Sequence, residues 1–220
     1  KRDHKKHSKF MKRVRRLREF FNSMGIAQAL DPRVEGDDMC YLLVKEYIAF
    51  NSIVIISGDR DFDQLVNHDV SVYDPGRDRI TVPGLVGPHN YGLNVNQLVD
   101  FKCLSGDKSD NIPGYGGIAE VRGAAFLEKH GSIQKYLNDK NAEFPGLADK
   151  EKLAKVYKKN RTLMDIRYFM EKFYPNRKVK YFKGKYPDFD QEKYLDFCSR
   201  WGLKTYRTDK YINLLKAWHG

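Results

Sequence analysis

The sequence has few cysteines, no long hydrophobic run and fewer acidic than basic residues. Cys40, Cys103 and Cys198 are odd in number, far apart and without partners at the spacing of zinc ligands. We therefore expect reduced thiols and neither a disulfide framework nor a structural zinc site. No apolar run approaches the roughly 18 residues of a membrane-spanning helix, and the N-terminus is too charged for a secretory signal. These absences predict a soluble intracellular protein.

The charge balance points to a polyanionic partner. The 220 residues include 40 Lys and Arg against 29 Asp and Glu, which gives a net charge of +11. Nucleic acid is the first candidate partner, and an anionic membrane surface is the second. The chain is long enough to bury a sizeable core, either as one large domain or with a smaller helical domain, and long enough to be an enzyme.

The first 22 residues predict a basic helix. The chain starts at Lys1 without a methionine, and ten of its first 18 residues are Lys or Arg. Phe10, Val14, Leu17 and Phe21 recur at helical spacing. A solvated charged face is the ordinary explanation of such a segment. A phosphate-contacting surface is favoured here, because almost no acid relieves the positive charge.

The central stretch of the sequence is an apolar run followed by two carboxylates. Ile53 to Ile56 predicts a strand buried on both faces, and Asp59 and Asp61 follow it within a short polar turn. Ligands of open α/β sheets collect beyond the carboxyl ends of parallel strands. We therefore expect both carboxylates at the rim of a sheet.

Two further acidic clusters bracket this turn. One begins a helix predicted from Asp37 to about Phe50, and the other follows a helix predicted from Leu93 to Leu104. Helix capping accounts for one or two acids of the first cluster and poorly for three. Clustered carboxylates repel one another unless a hard divalent cation such as Mg²⁺ or Mn²⁺ binds them. A basic protein with such a pocket is typical of metal-assisted phosphodiester hydrolysis.

The rest of the chain is mostly helical. Val70 to Tyr73 and Arg79 to Val82 predict a hairpin, and Gly25 to Leu30 a short strand. A glycine-rich turn precedes a helix predicted from Ala119 to His130, and a basic helix is predicted from Asp149 to Asp165. Seven aromatic residues then alternate with lysines, and we expect a subdomain core from them in preference to base stacking. They are Tyr168, Phe169, Phe173, Tyr174, Tyr181, Phe182 and Tyr186.

Three acidic stretches, Val34 to Asp38, Ser57 to Val66 and Leu104 to Gly114, resemble in order and spacing the motifs of the flap endonuclease and 5′-3′ exonuclease family. That family includes the 5′-nuclease domain of bacterial DNA polymerase I and stand-alone phage and bacterial enzymes. The resemblance covers Val34 to about Leu137. It implies an α/β fold: a PIN-like domain with a central, mostly parallel sheet, a helix-hairpin-helix motif of the helix-three-turn-helix type, and a helical C-terminal subdomain.

The resemblance also implies a division of the chain and a set of site residues. Residues 1–104 would form a partial PIN-like domain with a basic arch helix, 105–140 the acidic motif and hairpin, and 141–220 the helical C-terminal part. The implied ligands of two Mg²⁺ or Mn²⁺ ions are Glu35, Asp37, Asp38, Asp59, Asp61, Asp107 and Asp110. The implied catalytic residues are Asp37, Asp59, Asp61 and Arg2. The implied DNA-binding residues are Arg2, Lys5, Lys6, Lys9, Lys12, Gly114, Gly117, Ile118 and Arg122, with K⁺ at the hairpin.

The sequence departs from the family pattern at two places. The aspartates of the family's first two motifs would precede Lys1, as would the first strand, so we expect either a portion of a longer protein or a chain that is not a normal nuclease. In the hairpin, Ala119 and Val121 stand where a glycine and a lysine are common, and Arg122 is the expected replacement phosphate contact. We expect duplex binding that is weaker or differently tuned.

The resemblance implies a structure-specific, metal-dependent 5′ nuclease of replication and repair. Its expected substrates are 5′ flaps, branched or nicked DNA and RNA-DNA primers. The alternatives are a branched-DNA-binding module that does not cleave and a PIN-type ribonuclease. We expect a monomer without a membrane partner in the cytoplasm of a bacterium or a phage-infected cell, with single-strand-binding or other replication proteins as further partners.

Overall fold

The computed structural model describes residues 4–84 and 91–219, without the side chains of residues 4 and 5. Arg2 and the side chain of Lys5 therefore lie outside the described residues. The chain divides into two compact units. One combines Lys1–Arg33 with Val179–Gly220, and the other is Val34–Lys178. The first unit draws on both ends of the chain, whereas the division expected from the sequence follows chain order.

The described elements are nine α-helices and five short strands. The helices are α1 (His4–Ser23), α2 (Gly36–Tyr47), α3 (Leu98–Ser105), α4 (Glu120–His130), α5 (Ile133–Asn138), α6 (Lys150–Met164), α7 (Ile166–Phe173), α8 (Gln191–Arg200) and α9 (Asp209–His219). The strands are β1 (Ile53–Ile56), β2 (Val70–Asp74), β3 (Arg79–Thr81), β4 (Gly106–Asp107) and β5 (Ile112–Pro113). Short 3₁₀ helices span Arg60–Leu65, Val95–Gln97 and Lys204–Arg207. The predicted α/β class is confirmed.

The sheet of the Val34–Lys178 unit has the order β1-β2-β3. β1 is parallel to β2, with Ile55 opposite Val72, and β3 is antiparallel to β2, with Val72 opposite Thr81. The predicted hairpin of β2 and β3 is confirmed. The expectation that β1 is buried on both faces is wrong. Only Ile55 is buried, whereas Val54 is 57% and Ile56 71% exposed, because the described elements cover one face of this strand.

Helices α3 to α6 enclose the main core of this unit. Its side chains are almost fully excluded from solvent, so burial of apolar surface stabilises the packing of α3 against α4 and α6. Those that are less than 2% exposed include Leu104, Phe126, Leu127, Ile133, Tyr136, Leu147 and Leu153. The loop between α3 and α4, which carries Asp107 and Asp110, is anchored at both ends to this packed core.

The other unit packs α1 against α8, around a small core of Tyr194, Cys198, Ile212 and Leu215. The expectation of a strand from Gly25 to Leu30 is wrong. Met24 and Ala29 each form only an isolated β-bridge, with Phe189 and Tyr181. Only one residue pair is bridged at each place, whereas a strand needs several consecutive bridged pairs.

The seven aromatic residues expected as a core are half-buried or exposed, so that expectation is wrong. Phe173 is 48% and Tyr186 78% exposed. Basic side chains cover several of these rings: the Arg161 guanidinium lies 4.5 Å from the Tyr168 ring centroid, and Lys185 Nζ 5.6 Å from that of Tyr186. Cation–π contacts thus take the place of burial.

The three cysteines are free, as expected. Among the helices described, none is both long and apolar enough to cross a membrane.

Candidate metal centre and nucleic-acid interface

The turn after β1 is fixed by its own polar groups. Asp59 Oδ1 accepts a hydrogen bond from Asp61 N at 2.9 Å, so Asp59 caps the 3₁₀ helix Arg60–Leu65. The buried Asp74 at the end of β2 accepts from Gly76 N at 2.9 Å and from Arg77 Nη1 at 2.6 Å. The bond to Asp59 holds the backbone of Asp61 at the start of the 3₁₀ helix, where Asp61 is half-buried while Asp59 is exposed.

The loop between α3 and α4 is organised by Asp107. Its Oδ1 accepts from Ser109 N at 2.9 Å, Ser109 Oγ at 2.5 Å and Asp110 N at 3.4 Å. The antiparallel pair of β4 and β5 closes the loop. Asp107 and Asp110 are thereby held on a short, tightly turned segment at the end of α3.

The two regions bring three carboxylates together. Asp61, Asp107 and Asp110 each offer a carboxylate oxygen, and these oxygens lie within 4.8 Å of one another. We call these three residues the acidic cluster. Lys102 of α3 bridges two of them: its Nζ lies 2.9 Å from Asp107 Oδ2 and in close contact with Asp61 Oδ1.

Burial and the contacts of Lys102 and Ser109 shift the pKa values of the acidic cluster. Burial raises the pKa of Asp61 although Lys102 opposes this shift. Burial also raises the pKa of Asp107, but hydrogen bonds from Ser109 and Lys102 outweigh it and lower that pKa to about 2. Burial lowers the pKa of Lys102, and its contacts with Asp61 and Asp107 more than compensate, so the pKa is raised and the ammonium is retained.

The acidic cluster fits a hard divalent cation. All three donors are carboxylate oxygens, which Mg²⁺ and Mn²⁺ prefer. Mg²⁺ binds oxygen at about 2.0–2.1 Å, so oxygens that share one ion lie up to about 4.2 Å apart, and a small contraction of the observed spacing suffices. The Lys102 ammonium already lies between two of these carboxylates, which shows that the site accepts positive charge.

The acids at the start of α2 form a second group. Asp38 Oδ2 accepts from Glu35 N at 3.1 Å, and Asp37 Oδ1 accepts from Asp38 N at 3.0 Å. Burial raises the pKa of Asp38, and the charges of Asp37 and Glu35 raise it further. Glu35, Asp37, Asp38 and Asp59 lie outside the three-carboxylate cluster. The capping contacts are those expected of helix-terminal acids, and metal binding by these residues stays a prediction.

Sequence reasoning missed two residues that support the acidic cluster. Lys102 falls within the helix predicted from Leu93 to Leu104, and a lysine five residues before Asp107 is a signal for a charge partner. The fully buried Asn160 of α6 donates from Nδ2 to Cys103 O at 3.1 Å and to Pro113 O at 2.8 Å. It joins both ends of the acidic loop to α6. An asparagine on the apolar side of a helix was its only signal in the sequence.

Comparison with known proteins agrees with this geometry. The family model of the 5′-3′ exonuclease N-terminal, resolvase-like domain matches residues 1–89. DNA polymerase I of Mycobacterium bovis is 33% identical over 159 residues, which cover 68% of this chain and 17% of that protein. A structure of a T5 5′-exonuclease variant has a TM-score of 0.54 and 26% identity, and covers 62% of this chain and 57% of that one.

The chain belongs to the family of flap endonucleases and 5′-3′ exonucleases. A second T5 5′-exonuclease structure, described with bound divalent zinc ions, is 25% identical at a TM-score of 0.54, and covers 62% of this chain and 51% of that one. The chain spans about a sixth of the length of the DNA polymerase I relatives that it matches. The family match and these relatives confirm the family predicted from the three acidic stretches.

The hairpin glycines of this family member have different environments. A Cβ on Gly114 would collide with the backbone of Leu104 and Gly106, so this glycine permits close packing of the loop. Gly117 has a positive φ of 83°, and no described atom lies within 4 Å of the position of an added Cβ. Ile118 is buried, and its N–H donates to Tyr115 O at 3.0 Å. Of these three, Gly117 is the one open to a ligand.

Arg122 has a structural role at the hairpin. Its Nη1 donates to Gly117 O at 2.7 Å and its Nη2 to Pro145 O at 2.6 Å. These bonds tie the glycine turn to the segment before α6. The side chain is exposed, so its remaining N–H groups are available for a phosphate.

The basic helix predicted at the N-terminus is observed as α1. Lys6, Lys9 and Lys12 are exposed on it. The apolar residues Phe10 and Leu17 are 59% and 50% exposed. α1 therefore presents both positive charge and apolar surface, which is the combination that binds the backbone and bases of single strands.

Proposed function

We propose that the chain is a structure-specific, divalent-metal-dependent 5′ nuclease that acts on 5′ flaps, branched or nicked DNA and RNA-DNA primers. The observation that carries the proposal is the convergence of Asp61, Asp107 and Asp110 from a strand end and a helix end onto one cation site. Relatives with the same ordered motifs include DNA polymerase I and the T5 5′-exonuclease. The net charge of +11 supports a polyanionic substrate.

The chemistry follows from the donor set. Bound Mg²⁺ or Mn²⁺ supplies the Lewis acidity that activates water and stabilises the leaving oxygen. The carboxylates of Asp61, Asp107 and Asp110 would bind such an ion. Asp59 positions Asp61 by accepting a hydrogen bond from the Asp61 backbone N–H. Lys102 retains its proton and balances the carboxylates before the ion binds. Glu35, Asp37 and Asp38 are proposed to contribute to a second ion.

The DNA is proposed to meet two surfaces. The glycine turn around Gly117 faces the duplex phosphates, and Arg122 adds positive charge beside it. Lys6, Lys9 and Lys12, with Arg2 and Lys5, contact the 5′ strand, and Arg2 approaches the scissile phosphate. We also propose that a K⁺ ion binds at the hairpin. The carbonyl oxygen of Gly117 already contacts one positive group, the Arg122 guanidinium. Action as a monomer in the cytoplasm, with replication proteins as partners, is also proposed.

The test is cleavage of a 5′-labelled flap by the wild-type chain and by Asp107→Asn. We expect Mg²⁺-dependent cleavage near the junction by the wild-type chain, with EDTA and Ca²⁺ as negative controls, and a loss of about 100-fold or more in Asp107→Asn. Asp188→Asn, an exposed acid of the other unit, is the matched control and should cleave at the wild-type rate.

A binding assay with the same flap runs beside the cleavage assay. Flap binding by Asp107→Asn should stay within a few fold of the wild-type value. Tight binding by a wild-type chain that does not cleave in Mg²⁺ would instead support the branched-DNA-binding alternative. Cleavage of single-stranded RNA but not of flap DNA would support the PIN-type ribonuclease.

A further inference from the structure

The outer face of α6 is a basic surface separate from the acidic cluster. Lys155, Lys158 and Lys159 are all exposed, and with Thr162 and Leu163 they line a shallow open cleft of about 440 Å³. We call these three lysines the outer lysine row. Their positions are i, i+3 and i+4, so they share one side of the helix.

The outer lysine row points away from the helix that carries the metal loop. α6 packs against α3 through its opposite side, where Leu153, Asn160 and Met164 are buried. Axes of packed helices lie about 8–10 Å apart. The outer lysine row is therefore at least a helix diameter beyond α3, and phosphates held at the acidic cluster do not reach it.

The positive charge of the row is not neutralised by nearby acids. In the described ranges 4–84 and 91–219, no carboxylate forms an ion pair with these three lysines, and Asp165, an acid close by in the chain, pairs with Arg161 at 3.0 Å. The charge continues onto α7, where Lys172 Nζ donates to the Tyr168 hydroxyl at 2.9 Å. This bond and the charges of Lys172, Arg161 and Lys158 lower the pKa of the Tyr168 phenol.

The spacing of the row suits a DNA backbone. Lys155 and Lys159 are one helical turn apart, about 6 Å along the axis, and duplex DNA presents a phosphate about every 3.4 Å along each strand. Each lysine can therefore meet a different phosphate of one duplex.

We propose that the outer lysine row binds the phosphate backbone of a second duplex arm of branched DNA, while the hairpin and the acidic cluster engage the first. This inference rests on the proposed function, because it takes a branched DNA as the substrate. It explains how a nuclease could distinguish a junction from a simple DNA end: a junction has two arms, and only a two-armed substrate reaches both surfaces.

The experiment compares two triple variants that remove the same charge. In Lys155→Gln/Lys158→Gln/Lys159→Gln the outer lysine row is neutralised. In the control, Lys45→Gln/Lys135→Gln/Lys140→Gln, three exposed lysines of the same unit are neutralised at scattered positions. Fluorescence anisotropy measures Kd between 50 and 200 mM salt for a two-armed flap and for a one-armed partial duplex. Ca²⁺ replaces Mg²⁺ so that no DNA is cleaved.

We expect the first variant to bind the two-armed flap about tenfold more weakly at 0.1 M salt, with a slope of log Kd against log salt reduced by about 2–3. Its binding of the one-armed duplex and the binding of both DNAs by the control should change by less than about threefold. A circular dichroism melt equal to that of the wild-type chain would confirm folding of both variants.

Three results would overturn the inference. They are an unchanged salt slope on the two-armed flap, an equal loss on both DNAs, and a loss of binding to labelled polyglutamate without a loss of DNA binding. The third result, measured by the same anisotropy assay with labelled polyglutamate, would assign the row to an acidic protein. Failure of the proposed function is a separate result. A wild-type chain that binds both DNAs but does not cleave the flap in Mg²⁺ would refute the nuclease and leave this measurement valid.

Discussion

The two faces of α6 differ in how their polar residues are used. On the inner face the buried Asn160 donates two hydrogen bonds to the backbone that carries Asp107. On the outer face, Lys155, Lys158 and Lys159 are exposed and form no ion pair within the described ranges. The inner face therefore stabilises the site, and the outer face is free to bind a ligand. The same helix sequence serves both purposes because its two faces meet different surroundings.

The largest effect is expected from the inner face. Asn160→Leu removes two hydrogen bonds and leaves the buried carbonyl of Cys103 and the partly buried carbonyl of Pro113 short of a donor, which costs about 3 kcal/mol of folding free energy. Urea denaturation measures this loss, and flap cleavage should fall with it because the loop of Asp107 is no longer fixed. Asn213→Leu, an exposed position of α9, is the control and should cost less than about 0.5 kcal/mol. Equal costs at the two positions would show that the inner face does not support the site.

A second comparison sets the half-buried Lys102 of α3 against the exposed Lys159 of α6. Lys102→Met leaves Asp61 and Asp107 without their cation, so we expect a loss of about 2 kcal/mol in EDTA. Because a divalent ion can replace that charge, Mg²⁺ should raise the melting temperature of this variant more than that of the wild-type chain. Lys159→Met should cost less than about 0.5 kcal/mol. A Mg²⁺ response smaller than in the wild-type chain would contradict the assignment of the acidic cluster as a cation site.

A smaller effect concerns pH. Asp100 of α3 accepts from Ile133 N at 2.8 Å and faces Tyr157, Arg161 and Asp165. Burial raises its pKa, although the bonds from Ile133 and Tyr157 oppose the shift. The folded state therefore holds the proton of Asp100 more tightly than the unfolded state, and this residue's contribution to stability falls as pH rises from about 4 through the raised pKa.

Asp100→Asn lacks this titration and keeps an acceptor for Ile133 N. The stability of the variant relative to the wild-type chain should therefore rise with pH, as measured by urea denaturation between pH 4 and 7. Glu151→Gln, an exposed acid at the start of α6, should stay within about 0.5 kcal/mol of the wild-type chain at each pH. A difference that falls with rising pH would show that Asp100 is stabilised as the carboxylate.

Much of the local structure follows from short-range patterns. Asp149 and Asp190 cap α6 and α8, through bonds from Lys152 N at 2.8 Å and Lys193 N at 3.0 Å, and aspartate is a common residue at helix N-termini. The β2-β3 hairpin follows its turn residues. The errors have a different origin. The burial of Val54 and the surroundings of the seven aromatic residues depend on which elements pack against them, and this is not encoded within a few residues.

The sequence by itself determined the order of the acidic motifs, the helix caps, the charge balance and the family. These features depend on residue type and on spacing along the chain. Only the tertiary structure decided which acids converge and which lysines stay exposed. Asp61 and Lys102 are 41 positions apart, and Asn160 and Cys103 are 57 apart. Such contacts form because burial of the α3–α6 core brings distant segments together, and no local pattern specifies them.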